Sequence, residues 1–222
     1  FAGEGANVII NYVHSKVLAE DLYNSLPEQC TAKLIRADVS KSEDVKLMFE
    51  EVNSSFGKID ILINNAAIYK DSVIWKMKEE MWDEVIDIDL KGVFNCTKYA
   101  SQMMRKSNFG RIINISSVVS QTSSFGVSNY AAAKAGLNGF TRATATELAP
   151  KNITVNSLSL GFIEEGMLLR LPSNVREQII DKIPAKRWGK VNEVIETIFF
   201  LSSSYSSYMT GQTINLNGGY YM

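Results

Sequence analysis

Apolar residues follow two alternating rhythms along this chain. Short runs rich in valine, isoleucine and leucine occupy residues 7–12 (NVIINY), 32–37 (AKLIRA), 59–64 (IDILIN), 111–116 (RIINIS), 153–160 (ITVNSLSL) and 212–216 (QTINL). Several are almost continuously apolar, as expected of strands covered on both faces in a parallel sheet. Between them apolar residues recur at helical spacing, over about residues 15–26, 42–56, 79–106, 129–148 and 191–203. Ser40 or Ser42, with acids following, offers an N-cap for the second helix, and Pro150 stands where the fourth must stop. Strand, helix and strand in unbroken succession imply crossover connections, so the predicted class is α/β with a doubly wound parallel sheet. No linker, repeat or low-complexity stretch interrupts the pattern, which predicts one domain over residues 1–222. Residues 161–190, with Gly161, Gly166, Pro172, Pro184 and Gly189, are the one long irregular stretch expected. Near the carboxyl ends of the strands such an insertion is a candidate substrate lid.

Composition narrows the possibilities. Apolar residues make up 45% and charged residues 21% of the 222, ordinary for a soluble globular protein. A net charge of −1 offers no field for a nucleic-acid backbone, and short basic clusters such as Lys186-Arg187 read as solvated surface. No apolar run approaches a membrane span and no signal peptide opens the chain, so a cytoplasmic protein without membrane attachment is expected. Cys30 and Cys96, far apart, read as two free thiols in a reducing compartment. His14 is the sole histidine, which excludes a histidine-rich metal site and a serine–histidine triad elsewhere. No metal site is expected. An acid or base working near neutral pH must therefore be a different residue type.

The stretch 128–137, SNYAAAKAGL, places a phenol and an amine one helical turn apart on a helix of small residues. The same spacing occurs at Tyr12 and Lys16, so it is not diagnostic alone. Tyr130, however, follows Ser117 by thirteen residues, and Ser117 follows a strand at the sheet edge where ligands bind. At the other end of the chain, residues 1–6 (FAGEGA) read as the last turn of a helix, its cap and the approach to a strand. A Rossmann-type sheet ordinarily opens with a strand and a glycine-rich turn that brings backbone N–H groups to dinucleotide phosphates. No G-x-G-x-x-G precedes residue 7, so that first strand and turn are expected to be missing from this sequence.

Taken in order, RADVS at 36–40, DILINNAAI at 60–68, GRIINISSVV at 110–119, NYAAAKAGL at 129–137, ITVNSLSLGFIEEGM at 153–167 and TGQTINLNGGYYM at 210–222 form a specific set. With these markers the chain resembles the short-chain dehydrogenases/reductases along its whole length, most closely the bacterial 3-oxoacyl-[acyl-carrier-protein] reductase branch. The resemblance implies a seven-stranded parallel sheet and an NADP(H)-dependent carbonyl reductase. Ser117, Tyr130 and Lys134 are then the expected catalytic residues. Ketone reduction needs a hydride at carbon and a proton at oxygen. A phenol is a poor acid at neutral pH unless a nearby ammonium favours its ionised form, so Lys134 is expected to lower the Tyr130 pKa. Lys134 would also hold the nicotinamide ribose. Ser117 would donate to the carbonyl oxygen; Ser116 is the competing choice, disfavoured by strand alternation and by the family spacing.

By the same resemblance Asn65 and Ala66, in NNAA, line the adenosine ribose. Asp38 and Val39 would meet the adenine ring, with a helix-leading acid as the other reading of Asp38. Ile163 joins the cofactor set. An acid at the end of the first strand would repel a ribose 2′-phosphate. Tyr12 stands there instead, followed by Val13, His14, Ser15 and Lys16, which favours NADP(H).

Three positions depart from the family. Asp89, in DLKG, replaces an asparagine whose backbone carbonyl serves a proton relay. It joins the catalytic set through that carbonyl, and its charge would raise the Tyr130 pKa and give a slower or pH-shifted reductase. Leu160 replaces a proline, and Glu165 replaces a threonine that bonds the cofactor amide.

The expected reaction is NADPH-dependent reduction of 3-oxoacyl thioesters, carried on acyl carrier protein, in fatty acid synthesis. Two alternatives stand beside it: another carbonyl reductase of the family acting on acyl-CoA, polyketide or small ketones, and a weakly active nucleotide-binding subunit. Apolar and small residues around the helices at 79–106 and 129–148 predict a homotetramer, or a dimer, built on those helices. Arg105, Lys106 and Arg142 are candidate contacts for an acidic carrier protein.

Overall fold

The computed structural model describes residues 1–165 and 172–222. Its strands are β1 (Val8–Tyr12), β2 (Ala32–Arg36), β3 (Ile61–Asn64), β4 (Gly110–Ser117), β5 (Ile153–Leu160) and β6 (Thr213–Leu216). Every pairing is parallel, and each strand lies within two residues of its predicted position. Helices α1 (Lys16–Asn24), α2 (Ser42–Phe56), α3 (Glu79–Ile86), α4 (Gly92–Ser107), α5 (Ser128–Leu148), α6 (Ser173–Lys182) and α7 (Val191–Ser202) run between them. The doubly wound α/β arrangement is thus present, as the alternating pattern required.

The core explains why the strands read as continuous apolar runs. Ile112 of β4 and Val155 of β5 face α2 and α4, joining Val45, Phe49, Val52, Ala100 and Met104. Ile113 and Ile115 of β4 with Leu158 of β5 face the other way, onto Leu201 and Ile198 of α7. Both sheet faces are dry, so both sets of alternating side chains must be apolar or fully bonded.

The polar exceptions form a buried band across the sheet. Asn64 donates to the Asn114 side-chain oxygen (2.8 Å), and Asn114 donates to the Thr141 hydroxyl on α5 (2.9 Å). Ser157 donates to Asn138 (2.8 Å), which donates to Ser120 (2.9 Å). These bonds fix the register of α5 against β3, β4 and β5, and α5 carries the residues of interest.

Four features stand out against the sequence expectation. First, in keeping with the first strand expected to be missing, the sheet is in two parts: β1–β2 and β3–β4–β5–β6 do not pair with each other, and a cavity of about 640 Å³ lies between β1 and β3. Second, neither Ser40 nor Ser42 caps α2. Lys41 holds that place without a side-chain bond, and the Ser40 hydroxyl donates to Asp38 instead. Third, the single helix expected over 79–106 contains a π-helical segment at Asp87–Lys91 between α3 and α4. Fourth, the stretch 161–190 holds α6 rather than irregular chain alone; Gly166 and the rest of 166–171 lie outside the described residues. Among the described residues no helix is long and apolar enough to cross a membrane.

Replacing Asn114 by alanine strands two buried partners, Asn64 and Thr141. A loss of about 2–4 kcal/mol in unfolding free energy is expected in urea titration, and a loss below the error of that measurement would show the band to be dispensable.

Candidate active site

Three elements converge at the carboxyl edge of β4. The strand ends at Ser117, α5 begins at Ser128 and brings in Tyr130 and Lys134, and the π segment supplies Asp89. Tyr130, Lys134 and Asp89 are 5%, 2% and 0% exposed, so their charges and hydroxyls act on one another rather than on water.

Lys134 lies deepest. Its ammonium donates to the Ile115 carbonyl of β4 (3.0 Å) and sits 3.4 Å from Asp89 Oδ2. The latter contact is close enough for charge attraction but not aligned as a hydrogen bond, since Oδ2 has no bonded partner. Asp89 Oδ1 accepts from the Ile68 N–H (2.9 Å). Burial pushes the Asp89 pKa up, opposed by the Lys134 charge and the Ile68 bond. Burial also pulls the Lys134 pKa down, opposed by Asp89.

The π segment explains how Asp89 arrives there. One wide turn in a continuous helix rotates the following residues, and such turns gather at functional sites. Gly92 follows directly, where a Cβ would fall 2.7 Å from Val39 Cγ2. A glycine lets α4 approach the β2–α2 loop this closely, and the Asn95 amide then donates to the Val39 carbonyl (2.8 Å).

Tyr130 does not meet its lysine as the spacing suggested. The Lys134 ammonium lies over the Tyr130 ring, 5.4 Å from its centroid, and is engaged by Asp89. Burial drives the Tyr130 pKa above that of an ordinary phenol. Tyr69 and Asp89 raise it further, and the Ser117 hydroxyl works against them. The expected net lowering by Lys134 is therefore corrected: burial, with Tyr69 and Asp89 adding to it as the Asp89 charge was expected to do, holds the phenol neutral. The geometry also separates the two serines. Ser116 is buried and donates to the Lys134 carbonyl (3.3 Å), whereas the part-exposed Ser117 accepts from Val119 N–H (3.4 Å) beside Tyr130.

Two residues escaped the sequence reading. Tyr69, on the loop after β3, places its hydroxyl 3.0 Å from that of Tyr130, with ring centroids 4.4 Å apart. No motif marks it; only the loop path brings it there. Arg36 ends β2 opposite Tyr12 and donates to the Val13 carbonyl (3.2 Å), adding exposed positive charge at the end of β1. Parallel pairing of the first two strands could have revealed it.

The expected nucleotide-side residues lie along the same edge. Asn65 and Ala66 are exposed at the end of β3, beside Asn11 and Val39. The Val39 side chain is nevertheless part of the core. Asp38 is tied into its own turn, accepting from Ser40 N–H (3.0 Å) and Ser40 Oγ (2.7 Å). Burial works to raise its pKa, but those bonds and Lys41 lower it overall. Ile163 pairs with Gly189 across the loops that follow β5 and α6. Glu165 is exposed, its N–H bonded to the Ile163 carbonyl (2.7 Å). No carboxylate occurs from Tyr12 to Lys16.

The candidate carrier contacts do not belong to this edge. Arg105 and Lys106 are in the last turn of α4, at the amino end of β4 and roughly 20 Å along the strand from Ser117. Arg142 is about 18 Å along α5 from Tyr130. Cys96 is buried in the core, its pKa pushed up to about 12 by burial, which makes it an inert thiol.

Asp89→Asn keeps an acceptor for Ile68 but removes the charge. The Tyr130 ionisation midpoint is expected to move to lower pH, read by NMR of ζ-carbon-labelled tyrosine; an unchanged or higher midpoint would contradict this electrostatic account.

A family model described as enoyl-(acyl carrier protein) reductase matches residues 1–221. Among curated relatives, the 3-oxoacyl-[acyl-carrier-protein] reductase FabG of Staphylococcus epidermidis is 43% identical over 222 residues, covering all of this chain and 91% of its own. The FabG of Thermotoga maritima is 42% identical over 221 residues, 99% of this chain and 89% of its own. The acetoacetyl-CoA reductase of Allochromatium vinosum is 40% identical over 223 residues, 100% of this chain and 91% of its own. With identity of this level along its full length, and with serine, tyrosine and lysine gathered at one sheet edge, the chain belongs to the short-chain dehydrogenase/reductase family.

Proposed function

We propose that this protein reduces 3-oxoacyl thioesters, carried on acyl carrier protein, to 3-hydroxyacyl thioesters with NADPH. Residues 1–222 would act as one reductase domain, with the segment around 161–190 as its substrate lid. The observation that carries the reading is the grouping of Ser117, Tyr130 and Lys134 at the carboxyl edge of β4, in a chain so similar to FabG proteins.

Reduced nicotinamide, when bound, supplies the hydride for the ketone carbon. Asn65, Ala66, Asp38, Val39 and Ile163 would hold the cofactor. Tyr12 through Lys16 and Arg36, with no acid among them, would tolerate a 2′-phosphate. Lys134, fixed by the Ile115 carbonyl and Asp89, would position the ribose end. Ser117 donates a hydrogen bond to the carbonyl oxygen, favouring the negative charge that gathers there. Tyr130 then gives that oxygen its proton.

A raised Tyr130 pKa suits this direction. The reduction needs the neutral phenol, and a developing alkoxide is a far stronger base than a phenolate. The donor form persists through neutral pH, and reduction loses its proton source only as pH climbs past the raised value. Oxidation of the 3-hydroxyl needs the phenolate and has the opposite dependence.

A homotetramer fits the surface. Phe94 of α4 and Ala132, Ala135 and Ala143 of α5 are exposed, a face of small residues on which a second α4–α5 pair can approach closely. β6 has one free edge for a further contact. Light scattering is expected to read four chains; a single chain would overturn this assembly.

Similarity to an acetoacetyl-CoA reductase supports a second reading in which the CoA thioester is the substrate. NADPH oxidation with acetoacetyl-[acyl-carrier-protein] and with acetoacetyl-CoA separates the two. The carrier form is expected to have the higher kcat/KM, and Tyr130→Phe should lower it roughly 10²- to 10⁴-fold. Turnover of neither thioester, or full activity of Tyr130→Phe, would sink the proposal.

A further inference from the structure

We propose that the two loops beside Tyr130 hold the acyl chain of the substrate, and that Ile74, Trp75 and Phe125 make this reductase favour long 3-oxoacyl groups. This rests on the thioester-reductase reading above and names the preferred substrates within it.

Residues 65–78 leave the carboxyl end of β3, and residues 118–127 leave that of β4, the edge that carries the site. The two loops are zipped together. The Ser72 N–H donates to the Gly126 carbonyl (2.8 Å), Ser72 and Val127 form a parallel bridge, and the Ser128 hydroxyl donates to the Met77 sulfur (3.8 Å). The amide of Asn129, next to Tyr130, donates to the Lys70 and Met81 carbonyls (3.0 and 3.1 Å). Together the loops make one fixed rim at the start of α5.

That rim carries large apolar side chains in water. Ile74, Trp75 and Phe125 are 65%, 73% and 83% exposed, and each lies within three residues of the Ser72–Gly126 bond. Tyr69, on the same loop, packs its ring against that of Tyr130, with centroids 4.4 Å apart. Single exposed apolar residues are ordinary, but several on one short rim mark a binding surface.

Continuity with the site identifies the occupant. A 3-oxoacyl thioester whose ketone lies at Ser117 and Tyr130 extends from it in two directions. One end is the thioester and its carrier, and the other is an alkyl chain that gains from apolar contact. The assembly proposed above uses α4, α5 and β6, so it does not call on this rim. A methylene laid on an open apolar surface is about half removed from water, which strengthens binding roughly twofold. The chain is held equally before and during hydride transfer, so the gain falls on KM and not on kcat.

NADPH oxidation with acetoacetyl, 3-oxooctanoyl and 3-oxododecanoyl groups on one carrier protein tests this. From the four-carbon to the eight-carbon chain kcat/KM is expected to rise roughly tenfold, through KM. In Trp75→Ser, and in Phe125→Ser, that ratio is expected to fall at least about threefold. Titration with 3-hydroxydodecanoyl pantetheine should move tryptophan emission to shorter wavelength, a shift lost in Trp75→Ser and independent of turnover. A wild type that reduces short and long chains with equal kcat/KM overturns the acyl surface alone, as do variants that keep the full ratio. A light-scattering mass that drops in Trp75→Ser also overturns it, by giving the rim to a second copy. A wild type that reduces no thioester overturns the functional reading and the acyl surface together.

Discussion

The buried contact between Asp89 and Lys134 is the constraint around which this site is organised. Two opposite charges, almost wholly removed from water and 3.4 Å apart, cannot be separated without leaving one of them unpaired, at about 3–5 kcal/mol. Such a pair adds little net stability compared with apolar packing, because desolvation of both groups offsets their attraction. What it supplies is position. Lys134 is fixed to β4 through the Ile115 carbonyl, and Asp89 is fixed to the loop after β3 through the Ile68 N–H. One ion pair therefore joins α5, β4, the π segment and the Tyr69 loop.

That arrangement changes the chemistry expected of a tyrosine and lysine one turn apart. An unopposed ammonium would favour the phenolate. Here burial disfavours the ionised phenol, and Tyr69 and the Asp89 charge add to the effect. The Tyr130 phenol is thus held in its neutral form at neutral pH.

The fold supports this by using polar residues within a dry sheet. Asn64, Asn114 and Thr141 form a bonded line from β3 through β4 to α5. In a low-dielectric interior each such bond is satisfied or costly, so the line specifies one placement of α5 and of the two residues it carries. The π segment achieves the same for Asp89 from the opposite side.

Periodicity alone located all six described strands, because burial on both faces leaves continuous apolar runs that need no tertiary information. The motif order pointed to Ser117, Tyr130 and Lys134 through the family resemblance, and the structure brings the three to the carboxyl edge of β4. The helix α6 escaped because its sequence, SNVREQIIDK, buries no residue and so carries little apolar period. Asp89 was visible as a charge near Lys134, but its bond from Ile68 and the π turn that carries it were not: a π turn is a matter of hydrogen bonding that periodicity averages away. The Tyr69 contact and the depth to which Tyr130, Lys134 and Asp89 are buried were decided only in three dimensions. Both depend on which groups a loop and a wide helical turn bring within a few ångströms, and side-chain electrostatics varies over that same distance.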